Sequence, residues 1–211
     1  MLVICEERSI AHAISRALEG PFVSEPTQIV GPGVVLTWTE GRLAGLAEPE
    51  VYDASLETWR LDDLPVVPEQ FQIVALAESE HAKEQLKAIR ALVRRRDIER
   101  LVNACEPGPD GELTFSFVRE LVDARDLPVE RAWLSSLTRE GIRAAFADLR
   151  PGDELRPLED AARARAEADW LVGVNGTRAA TVRARALGGR ITLGRVLTPA
   201  LATIVRRERR V

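Results

Sequence analysis

A chain of 211 residues with 45% apolar and 29% charged content can bury a real core and suits one large domain or two smaller ones. No apolar run approaches membrane-spanning length, and Met1 to Cys5 runs at once into Glu6-Glu7-Arg8, which is not the layout of a signal peptide. Without a membrane-spanning run no membrane partner is expected, and Cys5 and Cys105, the only cysteines, provide neither a disulfide framework nor a zinc spacing, which fits a cytoplasmic location. The net charge of −4 argues against nucleic acid, but its distribution argues the other way. From residue 161 onward eleven arginines face only Glu167, Asp169 and Glu208, a balance of +8, which leaves −12 on the first 160 residues. Such asymmetry points to a polyanionic partner.

Leu2–Cys5 is an apolar run that reads as a buried strand, and Ser9 is placed to cap a helix over 10–18 closed by Gly20. Glu6 therefore stands between a strand end and a helix start. Residues 21–33 carry Pro21, Pro26, Gly31 and Pro32 and read mostly as loop. Val34–Trp38 is β-rich. Residues 47–68, rich in proline and acid without clear period, are expected to form an extended surface excursion. A strand is expected over 72–76, and residues 79–95 place Ala82, Leu86, Ile89 and Val93 at helical spacing.

The apolar strand over 101–105 stops in Glu106-Pro107-Gly108-Pro109-Asp110-Gly111-Glu112, and a helix is expected over 113–124. Open α/β sheets bind ligands in the crevice beyond the carboxyl ends of their strands. Three acids within seven residues repel one another unless solvent or a cation intervenes. The same residue types also make an ordinary solvated turn. A further strand over 129–135 precedes a helix capped by Thr138 and ending near Leu149, where Arg150-Pro151-Gly152-Asp153 stops it. Strands alternating with helices, with acids at two strand ends, describe a doubly wound α/β unit. After Pro157 the pattern changes to a long alanine- and arginine-rich helix over 158–174, a break at Gly188-Gly189 and a last helix over 200–209 opened by Thr198-Pro199.

Several ordered motifs carry a resemblance. They are Val3-Ile4-Cys5-Glu6 with Ser9-Ile10-Ala11, Thr37-Trp38 with Gly41, and Ala47-Glu48-Pro49-Glu50 with Tyr52-Asp53. Trp59-Arg60-Leu61 with Asp63-Leu64-Pro65, Ser135-Ser136-Leu137-Thr138 and the run from Ala164 to Leu171 follow. Gly173 with Asn175, Thr177-Arg178-Ala179, and Gly194-Arg195-Val196 with Thr198-Pro199 complete the series. Together they resemble the type IA DNA topoisomerases, especially bacterial topoisomerase III, over nearly the whole chain. The resemblance implies an α/β TOPRIM (Rossmann-like) sheet with helices on both faces over 1–153. It also implies a mostly helical, partial DNA-binding domain over 154–211.

In that family a glutamate matched by Glu6 helps proton transfer at the scissile phosphate, an Asp-x-Asp pair binds magnesium, and a tyrosine on a separate arch-shaped domain attacks DNA. Here the lysine after the first glutamate is Glu7, the first metal aspartate is Glu106 and the second is Gly108. The following Arg-Glu-Gly is Pro109-Asp110-Gly111, while Glu112 is retained; Ala180 and Leu197 replace an expected aromatic residue and glutamine. Tyr52, the one tyrosine, lies outside any nucleophile context, and the sequence ends before the arch.

The resemblance implies a degenerate or truncated topoisomerase-like protein that binds DNA, in single-stranded form, without relaxing it alone. Arg163, Arg165, Arg178 and Arg195 are the expected phosphate contacts. Glu6 holds the catalytic glutamate position without a nucleophile, and Glu106, Asp110 and Glu112 form a weakened site for magnesium. Two alternatives stand beside this reading. One is an interaction subunit, homo-oligomeric or paired with a separately encoded arch, whose apolar surface around Trp170, Leu171, Leu201 and Ile204 needs cover. The other is residual magnesium-dependent phosphoryl transfer. His12 and His81 read as surface or packing histidines, and Trp38, Trp59, Trp133 and Trp170 as core.

Overall fold

A computed structural model of the chain describes residues 1–76 and 78–210. Contacts divide the chain into two compact units, Met1–Gly45 with Ile73–Arg163 and Leu46–Gln72 with Ala164–Val211.

The first unit is built on β1 (Leu2–Cys5), whose four residues are all buried. A strand with no polar face must be covered on both sides, which is the situation of a parallel α/β sheet. The helices that follow are α1 (Arg8–Ala17), α3 (Glu80–Leu92), α4 (Pro109–Leu121) and α5 (Arg139–Ala147). The numbering leaves α2 (Pro49–Tyr52) to the second unit. The further strands are β2 (Val23–Ser24), β3 (Gln28–Gly31), β4 (Val34–Trp38), β5 (Ala44–Leu46), β6 (Ile73–Ala75), β7 (Leu101–Asn103), β8 (Val129–Arg131) and β9 (Arg150–Pro151). Six of these join β1 in one seven-stranded sheet of order β2-β3-β4-β1-β7-β8-β9, and β5 pairs with β6. The β4-β1-β7-β8 centre is parallel, and both edges are antiparallel.

Alternation along the strands sorts the core. Val3, Cys5, Leu36, Trp38, Val102 and Ala104 pack with Ala11, Ile14 and Ala17 of α1 and Ile142 of α5. Burying each large aliphatic chain in such a layer contributes about 1.5–3 kcal/mol. The opposite face takes α3 and α4: Gln85 of α3 donates to Thr37 Oγ1 at 2.9 Å, and Asn103 Nδ2 donates to Glu112 of α4 at 3.0 Å. Helices thus lie on both faces, as the sequence implies.

Local details depart from expectation in explicable ways. Helix α1 begins at Arg8 with Glu7 as its cap residue, and Ser9 lies inside, its hydroxyl donating to Glu7 Oε2 at 2.8 Å. The stretch expected as loop over 21–33 forms the β2–β3 hairpin arm, because Gln28–Gly31 can pair with β4 along its full length. Helix α4 starts at Pro109 rather than Leu113, since proline is preorganised for the first helical position and lacks only an N–H the helix would leave unpaired. Arg150 and Pro151 form an edge strand on β8, not a mere stop. Thr138 caps α5 as expected, accepting from Gly141 N at 3.1 Å.

The 28-residue helix α6 (Arg156–Arg183) runs well past the expected end at Val174 and belongs to the first unit as far as Arg163. Its remainder packs in the second unit with Leu46–Gln72, so the acid- and proline-rich stretch is no free excursion. The Asn175 amide donates to Val66 O and accepts from Val66 N, at 2.9 and 2.6 Å. Trp170 donates its indole N–H to Ala47 O at 2.9 Å, with Tyr52 and Phe71 set edge-to-face against its ring. The last helix, α7 (Leu197–Glu208), has no buried residue. Among the described residues no helix is long and apolar enough to cross a membrane.

Candidate functional site at the ends of the central strands

The chain leaves β1 to build β4 on one side of it and β7 on the other, so the switch point of the sheet lies between the carboxyl ends of β1 and β7. That is where open α/β sheets hold their ligands. Glu6 follows β1 directly and Glu106 follows β7 by three residues. The two meet there: Glu106 N donates to Glu6 Oε2 at 3.2 Å. Partial burial raises the Glu6 carboxyl above the ordinary glutamate range; the Glu106 amide opposes this, and the Glu106 carboxylate adds to it. Cys5, buried beneath them, is no nucleophile, because burial pushes its thiol up to about 12.

Glu112 has another fate. Its Oε1 accepts from Arg131 Nε at 2.7 Å and its Oε2 from Asn103 Nδ2, with both ion-pair partners essentially buried. The pair lines the floor of a cleft of ≈ 340 Å³ in which neither Glu6 nor Glu106 takes part. Arg131 also holds the acidic loop by its backbone. Its Nη1 donates to the carbonyls of Asn103, Cys105 and Ala132 at 2.9–3.0 Å, and its Nη2 donates to Glu106 O at 2.7 Å. Sequence reasoning passed over this arginine. The available signal was a cation at the end of the short strand Val129–Arg131, just before apolar Ala132.

Asp110 is exposed in the first turn of α4, and Gly108, at the second metal position of the family pattern, is the helix cap with φ +151°. Gly111 lets α4 close onto the loop, since a Cβ there would sit 2.0 Å from Glu106 O. The expected metal set Glu106, Asp110 and Glu112 is therefore not gathered. Among the described residues no group of three or more His, Cys, Asp or Glu is arranged to hold a metal ion. The donors present do not fit a three-carboxylate magnesium site, because both Glu112 oxygens are committed to neighbours.

The four arginines expected to contact phosphate are each set against a carboxylate. Arg163 bonds Glu120 and Ser116 and lies over Phe117. Arg178 is buried, reaching Glu50 at 2.6 Å and Leu56 O at 2.7 Å. Arg165 and Arg195 share Asp169, both largely exposed, so that trio keeps one net positive charge. Tyr52 accepts from Gln72 N through its hydroxyl and packs on Trp170. Trp38 is core as expected, whereas Trp59, Trp133 and Trp170 are each partly exposed.

The strand order, with a parallel centre and helices on both faces, defines an α/β protein of the doubly wound kind, and a solved structure of full-length topoisomerase I from Thermotoga maritima shares the fold. The two align with a TM-score of 0.54 and 15% identity, over 84% of this chain and 25% of that one. Residues 153–211 match the family described as DNA topoisomerase. The chain is 36% identical over 207 residues to DNA topoisomerase 3 of Bacillus subtilis, covering 98% of this chain and 27% of the relative. It is also 36% identical over 206 residues to DNA topoisomerase 3 of Shouchella clausii, with the same coverage. The chain is thus similar over nearly its whole length to DNA topoisomerase 3 proteins, and it spans about a quarter, 27%, of the length of the curated relatives it matches.

Proposed function

We propose that this chain is a type IA topoisomerase-like module that binds single-stranded DNA and does not relax DNA by itself. The observation that carries the catalytic half is the closure of Glu112 by Arg131 and Asn103, which leaves Glu6 and Glu106 as a two-carboxylate remnant. The chain's one tyrosine is occupied in packing and in a backbone hydrogen bond, so it offers no positioned nucleophile. We assign no step to magnesium; an ion taken up here would be held weakly, by few protein oxygens and many waters. DNA binding is supported by the relationship to DNA topoisomerase 3 and by the charge asymmetry. Arg206, Arg207, Arg209 and Arg210 near the end of the chain are exposed, and no carboxylate among the described residues pairs with them.

The test is direct. Fluorescence anisotropy at low salt is expected to show binding to a single-stranded oligonucleotide that weakens steeply with salt. Supercoiled plasmid incubated with protein and magnesium is expected to remain supercoiled and unnicked. Absence of low-salt binding defeats the DNA reading; nicking or relaxation defeats the catalytic one.

A second reading, an interaction subunit in an oligomer or beside a separately encoded arch, is favoured by one observation. Leu201 and Ile204 of α7 are 58% and 59% exposed, whereas Trp170, expected in the same apolar surface, is packed. Light scattering distinguishes it: a strict monomer that binds no hydrophobic dye argues against this role.

A further inference from the structure

Two arginines of unlike kind lie over the Trp59 ring. Arg178, buried and neutralised by Glu50, sits with its guanidinium carbon 5.2 Å from the indole centroid. Arg190 sits at 5.3 Å from the same centroid, is exposed, and has no hydrogen-bond or carboxylate partner among the described residues. Arg185, also exposed, donates to Trp59 O at 3.0 Å and thereby holds the backbone of the same residue. Arg183, two residues before Arg185 at the end of α6, is exposed and has no carboxylate partner among the described residues. The indole thus carries one cation locked by Glu50 and one that nothing else among the described residues holds.

A cation over an exposed ring is worth only about 0.5–1 kcal/mol. Arg190 can therefore leave the indole at little cost when an anion offers more. Its departure frees ring surface beside Arg185 and Arg190, neither of which pairs with a carboxylate among the described residues. Phosphates satisfy the cations, and the flat base joined to each phosphate satisfies the face. A polyanion lacking bases could use only half of the arrangement.

We propose that Trp59 is a stacking platform for one base of a single-stranded nucleic acid, with Arg185 and Arg190 taking the flanking phosphates. This rests on the DNA-binding reading above and adds to it a defined contact outside the four arginines named from the sequence. Stacking on an aromatic side chain is tolerant of base identity, so the platform selects unpaired strand rather than sequence.

The test uses the whole chain and a fluorescent oligothymidylate, compared with an abasic oligonucleotide of equal length and charge. Trp59→Leu is expected to weaken oligothymidylate binding by roughly five- to a hundredfold and Trp59→Phe by much less. Arg190→Gln is expected to lower the slope of log affinity against log salt by about 0.7, the value of one phosphate contact on a single strand. The abasic strand should bind wild type and Trp59→Leu alike. Circular dichroism establishes that each variant is folded, and Trp59→Phe and Arg190→Gln keep the test valid if Trp59→Leu is not. Wild-type binding that Trp59→Leu and Arg190→Gln leave unchanged, or that is equal for the abasic strand, overturns the platform and leaves the DNA reading intact. No wild-type binding at low salt overturns both.

Discussion

Arg131 and Glu112 form an ion pair in the interior of the first unit, with Nε to Oε1 at 2.7 Å and side chains 1% and 7% exposed. The parallel register of β7 and β8 sets Arg131 beside Asn103, and α4 brings Glu112 down onto both. An uncompensated charge at such depth costs about 3–5 kcal/mol. Arg131→Ala should therefore lower unfolding free energy by about that amount in urea titration, because Glu112 loses its countercharge and four backbone carbonyls lose a donor. Arg131→Met with Glu112→Leu should recover much of the loss. A single substitution costing under about 1 kcal/mol would show that the pair does not organise the acidic loop.

Glu6 makes the same site sensitive to pH in the opposite sense to a paired carboxylate. Burial, aided by the charge of Glu106, raises its pKa above the ordinary glutamate value of about 4.3. A group raised on folding stabilises the fold below its unfolded pKa, and that contribution is lost as pH rises through the folded pKa. At neutral pH the ionised Glu6 is thus a liability. Glu6→Gln should be more stable than wild type at pH 7, and the advantage should shrink as pH falls through the acidic range where Glu6 takes up its proton. Paired denaturation curves from pH 4 to 8 check this; an advantage that grows on acidification would contradict it.

The difference between these two glutamates marks how far the sequence could be read. Both strand-end acids were visible, since apolar runs ending in Glu6 and Glu106 are local patterns, whereas the strand order that sets them side by side is not local. Glu112 looked equivalent to Glu106 because spacing records neither the pitch of α4 nor the cation waiting across the sheet. Arg131, Arg178 and Trp59 have partners 19 to 128 residues away or between distant segments, and no local period encodes those pairings. The short edges, β2 and β9, were missed for a related reason. Two-residue strands carry no alternation to detect, and only a neighbouring strand makes them strands.

The loop between β7 and α4 should resist repair by sequence matching. Gly111→Ala places a methyl group 2.0 Å from a backbone oxygen that Arg131 already holds, so neither side can yield easily. A loss of about 1–3 kcal/mol is expected, typical of overpacking. Gly108→Asp would restore the family's second acid, yet φ +151° is a conformation that residues with a Cβ rarely adopt. That variant should also lose about 1–3 kcal/mol. Calorimetric titration with magnesium is expected to show little gain, because Glu112 stays with Arg131. Tight magnesium binding by Gly108→Asp without loss of stability would show that the loop rearranges freely.

Helix α7 poses a different question, because none of its residues is buried by the described residues. Its 12 residues include no buried one, and Leu197, Leu201 and Ile204 are 58–60% exposed at helical spacing. Isolated helices of that length are marginal in water, since most helical stability in proteins comes from packing an apolar face. Amides of α7 should therefore exchange with solvent among the fastest of any helix in the chain, and a partner that covers the face should slow them. Leu201→Glu with Ile204→Glu should change unfolding free energy by no more than about 0.5 kcal/mol per site, as exposed positions do, while lowering hydrophobic-dye binding and any self-association. Should the double variant instead unfold the protein, or should α7 amides already be strongly protected in dilute monomer, the face is packed in solution and the interaction reading loses its support.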